Sequence, residues 1–295
     1  MAFSTPAVPI QASLQLLPAS AFTIEQLTIA YNQTRVDYLV PMPMNAARLA
    51  EYIATYDVSL EDSVVALDGN GQILGLAMLG IRPERAWVTR LGVLPAARRR
   101  HIGLTLMTVL LGNAERRGLR RTVLEVIKNN VPAYNLFIRC GFAPTQEYLV
   151  LRRPPAPPLC EPWGSAEWLD REAALALLPE RADAPTWITE NRSLARVESL
   201  QALIVTAPDV GSGWLVFQEQ RFRGLTMLLS RFTLHTRTGS PPAVARLLLA
   251  HLYRRYPELD THIENIAVTD PHLPMLIEMG FIESFRRIEM IRDLA

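Results

Sequence analysis

Residues 94–103 read LPAARRRHIG. Three arginines and a histidine, Arg98, Arg99, Arg100 and His101, stand where an apolar run stops and a helical pattern starts. A helix N-terminus carries partial positive charge, so cations packed there are unfavourable unless an anion is nearby. A backbone turning into a helix also points several free N–H groups at one spot, which suits phosphate. Gly103 lets such a group approach the backbone closely. Neighbouring guanidiniums add charge-assisted hydrogen bonds. The chemistry suggested is capture of a phosphorylated ligand. One bias tempers it: Lys128 is the only lysine, so arginine is the default cation throughout this chain.

A second cluster lies downstream: Asn130, Ala133, Leu136, Phe137, Gly141 and Phe142, spaced as a turn, a short helix and its stop. Taken together, the two clusters resemble the GNAT superfamily of acyl-CoA-dependent N-acetyltransferases. Val93, Pro95, Arg98 and Gly103 match the family's V-x-P-x-x-R/Q-x-x-G-x-G/A turn, with His101 where the family usually has its first glycine. The downstream residues match an Asn followed by A-x-x-L-Y-x-x-x-G-F, with Phe137 in place of the Tyr. Two motifs at compatible spacing are more specific than either alone. The resemblance covers residues 13–153.

The resemblance implies acetyl-CoA as co-substrate, its diphosphate answering the basic run. Leu91, Gly92 and Val93 would line the pantetheine arm, with Arg98, Arg99, Arg100, Ile102, Gly103, Leu104 and Thr105 around the diphosphate. Asn130 and Phe137 would face the same arm. It further implies direct attack by a primary amine, on a small molecule or a peptide N-terminus. Such a reaction needs a base for the ammonium and an acid for the leaving thiolate, each worth about 10²–10⁴-fold. Glu125 stands where some family members keep a base, and Tyr134, one turn before Phe137, is a candidate acid, with water as another. Glu125 recurs as Glu264 in the second half, which favours a shared structural role. The acceptor would enter beside RVDYLVPMPMN (35–45), where Asp37 and Tyr38 are the candidate contacts and Met42 and Met44 an apolar rim or packing residues.

The elements that must position these residues follow from periodicity. Strands are expected at 13–20, 63–68, 73–81, 86–94, 122–127 and 147–153. Helices are expected after Thr23, whose partner Gln26 makes a capping-box spacing, at 45–56 opened by Asn45, at 103–117, and at 132–140. GNG after Asp68 marks a hairpin turn. RRPPAPPLCEPWG (152–164) holds five prolines and breaks the chain nearly in half. The expected domains are therefore 1–154, a linker at 155–163, and 164–295.

A constant offset (280 − 141 = 139) superposes Gly141-Phe142 on Gly280-Phe281 and keeps the hydrophobic strands in register. The fold class expected is α/β (α+β): two tandem GNAT-like domains, each a mixed, mostly antiparallel twisted sheet with flanking helices. The offset also puts Gly103 on Pro242, in RTGSPPA, and Asn130 on Thr269 beside Asp270. Prolines lack N–H donors and an acid repels phosphate. The second domain is therefore expected to keep the fold and bind CoA poorly or not at all.

Composition sets the outer bounds. Apolar residues make up 49% and charged residues 20%, with net charge +1. That balance disfavours a general nucleic-acid or membrane-surface binder. Cys140 and Cys160 make no disulfide framework, and no Cys/His spacing suggests a metal. His235, His251, His262 and His272 read as ordinary, and VGSGW (210–214) as a turn. No basic residue precedes Arg35, so a secretory leader is not expected. No apolar run is long enough to span a bilayer, and a cytoplasmic location is expected. A homodimer is left open. The alternative reading is a non-catalytic acyl-CoA-binding or interaction module, motivated by Phe137 and His101.

Overall fold

A computed structural model describes residues 14–181, 185–222 and 225–294. Ser13 and the residues before it, part of the expected first strand and first domain, lie outside the described residues. The chain forms two compact bodies. The first is the chain up to Leu124 with Asn135–Phe142 and the last residues from Arg292; the second is Glu125–Tyr134 with Ala143–Ile291.

Along the first half of the chain the order is β1 (Gln15–Pro18), α1 (Ile24–Gln33), α2 (Ala46–Thr55), β2 (Val58–Leu67), β3 (Ile73–Arg82), β4 (Arg85–Val93), α3 (Ile102–Arg116) and β5 (Arg121–Ile127). The helix α4 (Val131–Arg139) follows. Strand order is β1-β2-β3-β4-β5, antiparallel except for the parallel pair β4–β5. The expected caps are present. Thr23 and Gln26 form a reciprocal capping box on α1, and Asn45 accepts from the Arg48 N–H on α2. The turn after Asp68 closes with its carboxylate accepting from the Asn70 and Gln72 N–H groups. Met107, Leu110, Leu111 and Ala114 form the buried face of α3, as its periodicity requires. Gly141, at φ +84°, ends α4.

Element ends differ from the sequence expectation where side chains compete. β1 stops at Pro18 and passes into a single 3₁₀ turn at Ala19–Ala21. β2 starts ahead of Ser63, at Val58, with a register shift against β3 between Ser59 and Val64, where the Ser59 hydroxyl donates to the Asp62 carboxylate.

The second body contains β6 (Ala143–Arg153), β7 (Ser165–Leu169), α5 (Arg171–Leu177), α6 (Asn191–Leu194), β8 (Leu200–Ala207), β9 (Gly211–Phe222) and β10 (Leu225–Gly239). It ends with α7 (Pro241–Arg255), β11 (Asp260–Ala267), α8 (Leu273–Glu278) and β12 (Ile282–Asp293). Within it β6 lies between β12 and β11, antiparallel to both, and β10, β9, β8 and β7 continue outward. The repeat is visible in the elements: Ile102–Arg116 maps onto Pro241–Arg255 residue for residue. Yet β6, which precedes the proline-rich stretch, pairs with strands that follow it. Leu149 and Leu151 of β6 enter the core formed by α7 and β8–β11. Arg153 is buried at the end of β6, its guanidinium 3.7 Å from the Tyr253 ring centroid and donating to the carbonyls of Met279, Ala156 and Pro157.

Among the described residues no helix is long and apolar enough to cross a membrane, and no cluster of three or more potential metal ligands occurs.

Candidate functional site

Two departures from regular strand geometry shape the first body around β4. Arg90 sits at φ 54° within a register shift against β3. Such a bulge bends the strand. β4 pairs with β5 only through Arg85–Trp87 against Arg121–Val123. The length Val88–Val93 is thereby released from its parallel neighbour, with Leu91, Gly92 and Val93 half-buried.

Beyond Val93 a 3₁₀ turn over Pro95–Ala97 leads into Arg98, and then to two left-handed residues, Arg99 (φ 63°) and His101 (φ 60°). His101 is the N-cap of α3 and makes no side-chain cap. No acidic residue occupies the first turn of α3, whereas α1, α2 and α5 each begin with a side-chain cap. The opening N–H groups of a helix have no intrahelical acceptor. Ile102, Gly103 and Leu104 thus present uncapped donors directly after the exposed Arg99 and Arg100 in the chain. Among the described residues neither of these arginines makes an ion pair. Gly103 is tight: a Cβ there would lie 3.3 Å from Leu136 Cδ2. Thr105 turns its hydroxyl back to the His101 carbonyl.

Arg98 does something else. Its Nη1 and Nη2 donate to both carboxylate oxygens of Asp37 at 2.6 and 2.7 Å, Nε donates to the Val93 carbonyl, and Nη2 to that of Thr34. It straps the end of α1 to the end of β4. The ion pair holds the Asp37 carboxyl below its ordinary range. The structure therefore joins a residue expected at the diphosphate to one expected at the acceptor, and the Asp37 carboxylate faces Arg98.

The same end of α1 carries residues that stand out little in the sequence. Arg35 donates from Nη1 and Nη2 to the Leu91 carbonyl at 3.3 and 3.2 Å. Its guanidinium lies 4.5 Å from the Tyr31 ring centroid and 5.0 Å from that of Tyr38. Arg90 stacks 4.0 Å from the Tyr52 ring and donates to the Tyr31 hydroxyl. Gly92 makes room for this packing, since a Cβ there would collide with Thr34 and lie 2.8 Å from Arg35 Nη1. In the sequence Arg35 is marked only as the first basic residue of the chain. Met42 and Met44 are tied down through their backbones, by the Tyr31 hydroxyl and the Asn32 amide.

The remaining candidates divide between the bodies. Phe137, in the first, is buried edge-to-face against Phe142, a core position. In the second, the Asn130 side chain accepts from the Ala133 N–H and so caps the start of α4. Tyr134 is half-buried, and its hydroxyl has no hydrogen-bond partner among the described residues. Glu125 is half-buried and accepts from Asn265 at 3.4 Å. Its repeat partner Glu264 is exposed and pairs with Arg287, so the two glutamates do not share one environment.

The corresponding turn of the second body has a different structure. β10 keeps the bulge, with Arg231 at φ 56°, and keeps the short parallel pairing, Leu228–Leu229 with Asp260–Thr261. It then runs on in ladder with β9 as far as Gly239 opposite Gly211, so residues expected to form a turn are strand. Ser240 leads directly into Pro241 and Pro242 at the start of α7, which removes two N–H donors. Arg237, the repeat partner of Arg98, is bound through Nε and Nη2 to Glu180 at 2.7 and 2.6 Å. Arg237, and secondarily the Trp214 N–H, hold the Glu180 carboxyl down at about 2. Thr236 bonds His272 Nε2, and His272 Nδ1 bonds Asp270, each at 2.9 Å, which ties the extended strand to the start of α8. A cleft lined by Trp168, Glu198, Glu219 and Arg255 lies at the other end of α7.

The family model for the acetyltransferase (GNAT) family matches residues 31–142. No curated protein matches the chain. Among solved structures, a tandem GNAT protein from the clavulanic acid biosynthesis pathway superposes with TM-score 0.68 at 15% identity, covering 95% of this chain and 98% of that one. A GCN5-related N-acetyltransferase from Sphaerobacter thermophilus gives 0.66 at 16% identity, covering 97% of each chain. One from Anabaena variabilis gives 0.62 at 15% identity, covering 95% of this chain and 72% of that one. At these identities the likeness is one of fold.

Proposed function

We propose, from the premise that residues 31–142 form a GNAT domain, that this domain transfers an acetyl group from acetyl-CoA to a primary amine, while the second half carries no working donor site. The observation that supports it best is the start of α3: uncapped N–H groups behind left-handed Arg99 and His101, with Arg99 and Arg100 exposed and without acidic partners among the described residues. That donor set fits a diphosphate in charge and direction. The thioester, when bound, supplies an activated acetyl carbon. The protein's own contribution is placement and proton handling. Ile102, Gly103 and Leu104 would hold phosphate through their backbones, and the freed length Leu91–Val93 would line the arm. The family resemblance alone assigns the base to Glu125 and the acid to Tyr134, whose hydroxyl has no partner among the described residues. Such placement lowers the barrier mainly by orientation.

The extended β10, the prolines opening α7 and the Arg237–Glu180 pair support reading the second half as a structural copy. A non-catalytic CoA-binding module is the second reading. It is favoured by one observation, that Phe137 is a buried core residue where the resemblance calls for a proton donor. The test is release of free CoA thiol from acetyl-CoA with amines, amino acids and peptide N-termini. Amine-dependent release supports the enzyme. CoA binding without release by any acceptor supports the module.

A further inference from the structure

Among the described residues Arg35 is a cation without a counter-ion, in a crowded place. Its guanidinium has five N–H donors. Two nitrogens share the Leu91 carbonyl, Nη1 reaches Thr34 Oγ1 at 3.5 Å, and Nε is buried with no partner among the described residues. Tyr31 and Tyr38 offer ring faces, which ease the charge without neutralising it. Asp37, two residues on, is turned to Arg98 by its two-point ion pair. Burial, with Arg90 nearby as a second cation, pushes the Arg35 guanidinium below its ordinary value. A partly buried guanidinium with an unmet donor is costly unless an anion completes it.

Its position gives the anion a role. Arg35 touches β4 at Leu91, in the length released from β5 and just ahead of the turn into α3. Val36 and Leu39, on the following segment, are exposed apolar residues beside it in the chain. We infer that Arg35 receives a carboxylate carried by the acceptor amine, so that the acceptors are amino acids or peptides with a free carboxylate rather than plain amines. This rests on the acyl-transfer reading above.

The experiment compares matched acceptors on the whole protein: leucine, alanine and the dipeptide Gly-Leu against leucinamide, alaninamide and Gly-Leu-amide. It is paired with calorimetric binding of N-acetylleucine, N-acetylleucinamide and acetate ion, which needs no turnover. The expected result is that each carboxylate outperforms its amide by about 10- to 100-fold in kcat/KM, mostly through KM, as for a charge-assisted hydrogen bond. N-acetylleucine should bind more tightly than its amide by a similar factor. Arg35→Gln should erase both preferences, and Arg35→Lys should restore part of them. A merely structural Arg35 would weaken carboxylates and amides alike, and that result overturns the inference. So does equal use of both by the native protein, which decides the matter even if Arg35→Gln fails to fold. Acetate binding as tightly as N-acetylleucine would mean a site for a free small anion and overturns the acceptor assignment. If no amine is acetylated but N-acetylleucine binds through Arg35, the acyl-transfer reading fails while the carboxylate site stands. With neither transfer nor carboxylate-selective binding, both fall.

Discussion

Replacing His101 with glycine should stabilise the protein. His101 is held at φ 60° as the N-cap of α3 and makes no capping bond that the substitution would remove. A Cβ in the left-handed region costs roughly 1–2 kcal/mol, and histidine, which tolerates the region better than most, falls at the low end. Glycine gives back about 0.5–1 kcal/mol through the extra freedom of the unfolded chain. The net expectation is a gain of about 0.5 kcal/mol, or a rise of about 0.2 M in the urea midpoint at a slope of about 3 kcal/mol per M. His101→Ala is the control, because it removes the imidazole and keeps the Cβ, so it should bring no gain. Acetyl-CoA affinity in the glycine variant should stay within about threefold of the native value, since the donors assigned to phosphate are backbone groups. A glycine variant less stable than the alanine variant would refute the strain argument. So would a glycine variant that lost CoA binding, because the imidazole would then be part of the site.

Four further outcomes are expected. Because β6 pairs with β11 and β12, a chain cut in the proline-rich stretch should give halves that stay insoluble alone and recover a cooperative melt only when co-expressed. Glu180 is held at about 2 by Arg237, below its usual 4.5, so its contribution is present above pH 4.5 and is lost as pH falls towards 2. Urea midpoints at about pH 6 and about pH 3 should show that loss, and Glu180→Gln should flatten it. His272→Ala should destabilise the second half by about 1.5–3 kcal/mol through the broken Thr236–His272–Asp270 chain, and acetyl-CoA affinity should not change. Glu125→Gln should lower kcat by about 10²–10⁴-fold if Glu125 is the base, and steady-state kinetics with the best acceptor check it.

Much of the architecture was legible because local signals agreed with the fold. The Thr23–Gln26 box, the Asn45 cap, the Asp68 turn and the apolar face of α3 are all short-range effects, and each is present. The repeat was readable too, since a constant offset preserves which faces are buried. The partner of β6 was not legible. Strand pairing is a long-range choice, and the pattern of EYLVLRR fits either a first-half or a second-half neighbour. The basic run was legible as a turn but not as a division of labour, because only packing shows that Arg98 commits its charge to Asp37 while Arg99 and Arg100 stay exposed. The worn turn of the second half was visible in Pro241 and Pro242. Its extension of β10 to Gly239 was not, since RTGS carries turn residues that the ladder with β9 overrides. Arg35 was silent, because an isolated arginine at a helix end looks like any solvated one until the neighbouring acid is seen to face elsewhere.

The most direct measurement is the stoichiometry of acetyl-CoA binding by calorimetry on the whole chain. One site per chain is expected, abolished by Gly103→Glu and indifferent to Ser240→Glu at the start of α7. Two sites, or a single site that survives Gly103→Glu and is lost with Ser240→Glu, would contradict the assignment of donor binding to the first half, and no binding at all would leave both halves as scaffold.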